Sequence, residues 1–449
     1  AGDDIIEDPF GDDVLRGEQG NDVISDARGL NLLFGGAGQD YIMMGQDGSE
    51  TFAGDHNDFV LGGQGQDFIL GNEGDDWLEG GAGFDTLAGE NSDLFFNSPI
   101  IGHDVLFGQG DETDYDAESG DDIMGSGPSV FRYEGMFGFD WGIGKGDIGA
   151  VAFDLQIPIF TTIPADVLRD RFDQTEALSG WRFNDTLDGD GRGTTPLGLP
   201  TSAPSALFAD HVLPQEGINR IAGLNAWFGG LDGTDARTTL GLGTSFREGN
   251  ILMGGDGNDV MRGRGGFDII DGDSWLNVRL SIVIPAGQPN AGTYAAESMS
   301  TNTTFMGPNA GRVYNVNADG SPNFALPAFG GATLNSLLLN RTINPGQLSI
   351  VREILDGTLV AGETDSDTAV FFGTAAEYTI EGRVITNGVV TTAAADTNGD
   401  GFISVRDRDT GLVGASVDAV VLPTRGRLNI DNMDLLRNIE RRQFADQVI

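Results

Sequence analysis

The chain has 449 residues, no cysteine, and 25 Lys+Arg against 69 Asp+Glu, for a formal net charge of -44. Such a field repels nucleic acid and anionic lipid, and the missing cysteines exclude disulfides and thiolate metal sites. Glycine supplies 70 residues, against a usual share of about 7%, while the hydrophobic fraction of 39% is too high for a disordered tail. Glycine must therefore serve a repeated backbone geometry, and bound cations are the natural neutraliser of the carboxylates. No run approaches the roughly 18 apolar residues that span a membrane, and the length admits about two to four domains.

The chain opens Ala1, Gly2, Asp3, Asp4, with neither Met nor a signal-peptide pattern, and reads as a fragment of a longer polypeptide that begins inside a repeat. Steps of nine from Asp4 reach Asp13, Asp22, Asn31, Asp40, Ser49, Asp58, Asp67, Asp76 and Asp85. Two residues before these positions stand Gly2, Gly11, Gly20, Gly29, Gly38, Asp47, His56, Gly65, Gly74 and Gly83. Two residues after stand Ile6, Leu15, Ile24, Leu33, Ile42, Thr51, Val60, Ile69, Leu78 and Leu87. Three positions in phase over ten periods exclude a flexible Gly/Asp linker.

The phase resumes at Asp104 and Asp122, with Thr113 between them, and again at Asn250, Asp259 and Asp268. Glycine permits tight turns and close backbone approach, so that carbonyls and Asp carboxylates can surround one hard cation. The residues after each Asp form a short strand with one apolar side chain inward. Two nonapeptides make one coil of a two-faced parallel roll, and stacking and Ca2+ stabilise the array together. The candidate ligands are Asp4, Asp13, Asp22, Asn31, Asp40, Asp58, Asp67, Asp76, Asp85, Asp104, Asp122, Asn250, Asp259 and Asp268. Ser49, Asp47 and His56 mark a weakened turn. Tyr41, Phe59, Phe68 and Trp77, each directly after the repeat position, suggest either a sugar-stacking stripe or rings that cover a sheet edge or pack on a neighbouring domain.

Between 127 and 248 the period lapses into an insert. A helix is expected from Asp166 to Leu178 after Pro164, an isolated half-repeat over Trp181 to Asp190, and a second short helix over Pro214 to Ala222. His56, His103 and His211 lack partner histidines at ligand spacing and read as surface or packing residues. A second repeat island covers 249–275. Residues 276–449 are β-rich, with runs at Val278 to Ile284 and Arg312 to Val316. Residues 396–407 form an EF-hand-like loop in which Asp396, Asn398, Asp400, the Phe402 carbonyl and Asp407 are candidate calcium ligands. Apolar runs at Asp367 to Gly373, Tyr378 to Ile380 and Leu436 to Asp446 suit strands that cap the end of a roll.

The stretch Gly254-Gly255-Asp256-Gly257-Asn258-Asp259-Val260-Met261-Arg262 resembles the nonapeptide of RTX (haemolysin-type) calcium-binding proteins. That likeness implies an all-β-dominated fold, a calcium-bound parallel β-roll in two islands with a partly helical insert. It also implies export by type I secretion machinery and folding on extracellular calcium. The motifs DWLEGG at Asp76, DYDAESGDDIM at Asp114, EGMFGFDW at Glu134, LRDRFD at Leu168, EALSGW at Glu176, GRGGFDIIDGDSWLNVRLS at Gly263 and INPGQLSIVREI at Ile343 are similar to the C-terminal region of bacterial animal-type haem peroxidases, some of them manganese-oxidising. A haem peroxidase needs proximal and distal histidines with an arginine, and no such set is present, so no haem is expected here. The implied role is non-catalytic: calcium-driven folding, secretion and extracellular scaffolding for the remainder of a parent polypeptide. A surface adhesin or self-assembling layer component is the first alternative. A polysaccharide-modifying module is the second, disfavoured because no Lys/Arg/Tyr/His cluster suits proton abstraction from a uronate.

Overall fold

The computed structural model describes residues 2–91, 100–191, 211–229, 246, 249–266 and 268–357, together with the C-terminal stretches 366–371, 378–380, 382–386, 389–392, 394, 403–407, 420–421, 428–429, 433–445 and 447–448. They form two compact units. The first comprises Ala1–Ile148, Val167–Arg169 and Asn277–Arg352. The second comprises Gly149–Asp166, Asp170–Leu276 and Glu353–Ile449. No helix among the described residues is long and apolar enough to cross a membrane.

In the first unit the nonapeptides alternate between two parallel sheets. One runs through Ile5–Asp8, Val23–Asp26, Tyr41–Met43, Phe59–Leu61, Trp77–Gly81, Val105–Gln109, Ile123–Gly125 and Trp141–Ile143. The other runs through Val14–Gln19, Leu32–Ala37, Glu50–Asp55, Phe68–Glu73, Asp85–Ala88, Thr113–Asp116 and Phe131–Glu134. Ile24 pairs with Ile42 and Ile42 with Val60, so one coil takes eighteen residues. Ile24, Ile42, Val60, Leu78 and Leu106 of one sheet, and Leu33, Ile69 and Leu87 of the other, are buried between the sheets. A single coil could not shield them, which makes stacking obligatory.

The interruption after Asn91 leaves the register intact, since Trp77 pairs with Val105 and Leu78 with Leu106. The ladder also runs past residue 126: Phe131–Glu134 and Trp141–Ile143 pair in register with the coils eighteen residues before them, although the glycine/aspartate signature thins out there.

Tyr41, Phe59 and Trp77 project from one sheet and are fully buried. Tyr41 donates to Asn335 Oδ1 at 2.5 Å. No sugar-stacking stripe exists on that face, and the three rings are packing residues. Phe68 lies on the other sheet and is half-buried. Within residues 277–352, Gly292–Ala296 pairs antiparallel with Leu280 to Ile284, followed by Tyr314–Val316 and Pro322–Pro327. The helix Leu334–Leu339 starts at Thr333, whose side chain accepts from the Ser336 N–H, and buries Leu334, Leu337 and Leu338.

The second unit repeats the scheme with longer excursions. Ala177–Ser179, Ile251–Met253, Ile269–Asp271 and Met433–Arg437 are parallel neighbours. Ile403–Asp407 and Tyr378–Ile380 then add antiparallel strands. The opposing sheet stacks Ala152–Asp154, Thr186–Asp188, Val260–Arg262, Thr368–Val370 and Arg441–Gln443 in parallel.

The helix expected from Asp166 to Leu178 does not form. Residues 164–168 make turns, and Arg171–Asp173 and Ala177–Ser179 are strands. Val167 and Leu168 are exposed while Phe172 and Leu178 are buried, so the apolar residues share no helical face, and strand pairing satisfies the backbone instead. The second expected helix is present as Gln215–Arg220, with Pro214 at its N-cap, and Leu224–Gly229 follows it.

Candidate metal centres

The repeat aspartates stand in columns along the turns. Each main-chain N–H at a repeat position donates to the side-chain oxygen of the equivalent residue one coil later. The first column runs Asp4 to Asp22 (2.7 Å), Asp22 to Asp40 (2.7 Å), Asp40 to Asp58 (2.7 Å), Asp58 to Asp76 (2.6 Å), Asp76 to Asp104 (2.7 Å) and Asp104 to Asp122 (2.6 Å). Asp122 continues it to Asp140 at 2.9 Å. A second column runs Asp13 to Asn31, Asn31 to Ser49 Oγ, Ser49 to Asp67 and Asp67 to Asp85.

The second unit has two more columns. In one, Asp185 donates to Asp259 and Asp259 to Asp367. In the other, Asn250 donates to Asp268 and Asp268 to Asp434. The structure thus groups the repeat candidates as the period required and adds Asp140, Asp185, Asp367 and Asp434. Asp140 lies eighteen residues after Asp122 with Gly138 two before it, a signal visible at the coil period. Asp367 and Asp434 are separated from their partners by 108 and 166 residues, and no period points to them.

At Asp22, Asp40, Asp58, Asp76, Asp85, Asp104 and Asp122 one carboxylate oxygen serves the column and the other faces the preceding turn. The Oδ2 atoms of Asp22, Asp40, Asp58, Asp76, Asp85, Asp104 and Asp122 are buried and accept no hydrogen bond from the protein. A Cβ at Gly17, Gly35, Gly71, Gly80 or Gly89 would fall 2.5, 2.6, 2.3, 2.7 or 2.4 Å from the Oδ2 five residues on or, for Gly89, that of Asp104. Ala53 and Ala117 occupy this place before Asp58 and Asp122. The same cradle carbons would meet carbonyls of the next coil, such as Gly35 O at 2.5 Å from the Gly17 position and Gly89 O at 2.3 Å from the Gly71 position. Buried carboxylate oxygens therefore share each turn with main-chain carbonyls, a donor set that suits a hard cation such as Ca2+. Among the described residues no three Asp, Glu or His side chains converge as a metal cluster, so an ion here would draw many of its ligands from carbonyls.

Electrostatics point the same way. Burial pushes Asp40 up to about 7, Asp67 to about 6, and Asp85 and Asp104 to about 8. Burial, followed by the charge of a neighbouring aspartate, holds Asp58, Asp76 and Asp122 well above the ordinary range. The column N–H groups pull several of these values down without cancelling the burial cost. A bound cation reverses this situation, because it favours every carboxylate in its ionised form.

The turn expected to be weak is rebuilt. Ser49 Oγ donates to Asp26 Oδ2 at 3.3 Å, and Asp26 stands where other turns carry the first glycine. Asp47 accepts from the Gly29 N–H, and exposed His56 adopts a left-handed φ of 83° in a turn that keeps Asp58 in its column. His103 Nδ1 accepts from the Asp121 N–H at 2.8 Å, a side-chain-to-backbone bond one residue off the main column. His211 Nδ1 lies 3.4 Å from Glu176 Oε1 in a buried pair. Asp396, Asn398, Asp400 and Phe402 lie outside the described residues; Asp407 ends the strand Ile403–Asp407.

A family model for the RTX calcium-binding nonapeptide repeat matches four stretches, residues 1–25, 10–42, 52–87 and 247–274. No curated protein and no solved structure matches the chain. The chain carries RTX calcium-binding repeats, and they form parallel β-rolls.

Proposed function

We propose that the chain is a non-catalytic calcium-binding region of a larger secreted protein, in which ions seated along the aspartate columns drive folding outside the cell. The observation that carries this reading is the row of buried, hydrogen-bond-free Oδ2 atoms at Asp22, Asp40, Asp58, Asp76, Asp85, Asp104 and Asp122. Seven such oxygens in a chain of charge -44 make the ion-free roll costly, and divalent cations offset that cost. Weak calcium loops of roughly 10⁻⁴ to 10⁻³ M fill at extracellular calcium and stay empty in cytosol, which couples folding to export. The repeats support type I secretion as the route. The motif likeness in the first unit and in Gly263 to Ser281 supports a haem peroxidase as the parent, with its chemistry outside this chain.

The test is a calcium titration followed by far-UV circular dichroism, with magnesium as control and bound metal counted by native mass spectrometry. A cooperative coil-to-β transition with several ions bound supports the proposal. A chain that is fully folded in chelator and indifferent to calcium sinks it.

A further inference from the structure

Within the first unit, a cleft of about 630 Å³ lies between the turns of the roll and residues 300–302 and 335. No residue lining it has an ionisable side chain, although the chain carries 25 Lys+Arg and 69 Asp+Glu. One wall presents Gln46 and Gln64, which occupy the same turn position on successive coils and are both exposed. Their main-chain N–H groups are committed to stacking, Gln46 to Ala27 O and Gln64 to Gly45 O. Both side chains are exposed, on turns that stack at the strand spacing of about 4.8 Å. The facing wall presents Thr301 and Asn302. Asn302 Oδ1 accepts from the Thr304 N–H, which leaves its NH₂ group as a donor. Met43 contributes apolar surface to the same cleft.

We propose that this cleft binds an uncharged saccharide. Each glutamine amide offers a donor beside an acceptor, which matches the paired hydroxyls of a neutral sugar ring, while the thioether meets its C–H face. An anionic ligand would meet the field of a chain of charge -44 with no Lys or Arg in the cleft to hold it. A cationic ligand would find its carboxylates elsewhere. The inference does not rest on the calcium proposal, because it draws on the glutamine side chains, whereas an ion in the turns would draw on carboxylates and main-chain carbonyls.

The test uses the full chain in calcium and isothermal titration with maltohexaose, laminarihexaose, xylohexaose and chitohexaose. A uronate hexamer and an uncharged Gly/Asn hexapeptide serve as controls. The expected result is 1:1 binding of at least one neutral hexasaccharide, weakened tenfold or more by the double variant Gln46→Ala/Gln64→Ala. Circular dichroism and the number of bound calcium ions should match the wild type in that variant, which separates loss of the cleft from loss of the fold. Absence of binding to all four neutral sugars, binding unchanged in the variant, or preference for the uronate or the peptide overturns the proposal.

Discussion

The main-chain N–H of Asp58 donates to Asp76 Oδ1 at 2.6 Å, and the second oxygen of Asp76 is buried without a hydrogen bond. One side chain therefore has two separable roles. Its carbonyl-like oxygen ties coil to coil, and its charge faces the turn. Asn31 shows that an amide can do the first alone, since its Oδ1 accepts from the Asp13 N–H at 2.7 Å.

Asp76→Asn should retain the column bond and remove the buried charge. The calcium-free chain should become more stable while the calcium concentration at half-folding rises several-fold. Chemical denaturation in chelator and a calcium titration of the variant check both signs, and a variant weaker in both conditions would contradict the division of roles. Asp76→Ala removes the acceptor as well and leaves the buried Asp58 N–H unpaired, at a cost of about 1–3 kcal/mol.

The calcium-free fold should depend on pH in an unusual direction. Asp40, Asp67, Asp85 and Asp104 sit at about 7, 6, 8 and 8 when folded, against 3.8 for a free aspartate. Between those limits the folded state holds more protons than the unfolded state, so stability falls as pH rises. In chelator the roll should be most stable near pH 4 and be lost progressively as pH climbs through about 6 to 8. Calcium should restore it at pH 8. Thermal melts from pH 4 to 9 in chelator measure this; a melting temperature that rises with pH would refute it.

Gly71→Ala tests the cradle by steric means. The new methyl would lie 2.3 Å from both Asp76 Oδ2 and Gly89 O, so the turn must open. A loss of about 1–3 kcal/mol is expected, with weaker calcium uptake. At Gly149 nothing lies within 4 Å of the same methyl, and Gly149→Ala should be near neutral. Equal effects in denaturation curves would argue against the cradle.

Glu79 is a buried carboxylate whose partners among the described residues are neutral donors. It accepts from Trp77 Nε1 (2.7 Å), Gln109 Nε2 (2.6 Å), Ser298 Oγ (2.9 Å), and the Met299 and Ser300 N–H groups (both 2.8 Å). Glu79→Gln would set an NH₂ group against this ring of donors. We expect faster amide exchange at Met299 and Ser300 by hydrogen-exchange mass spectrometry and a loss of about 1–3 kcal/mol, with calcium stoichiometry unchanged. Unaltered protection at those two amides would show that Glu79 does not hold that segment.

The amino-acid order by itself determined the coil. Gly, Asp and one aliphatic residue in a nine-residue phase specify a turn, a column carboxylate and a single inward side chain, because each is a local property of backbone freedom and strand geometry. Partner choice across long gaps was decided only in three dimensions. Asp185 reaches Asp259 across 74 residues and Asp268 reaches Asp434 across 166, since any segment able to bury one aliphatic residue and accept one N–H can complete a coil, whatever the chain does between. The same holds for Tyr41, Phe59 and Trp77. Their spacing put them on one face, but burial depends on contacts far away in the chain, such as Tyr41 with Asn335. The segment from Asp166 to Leu178 shows the converse, for its helical punctuation lost to the strand pairing of Leu178 with Leu252, a contact that local sequence does not encode.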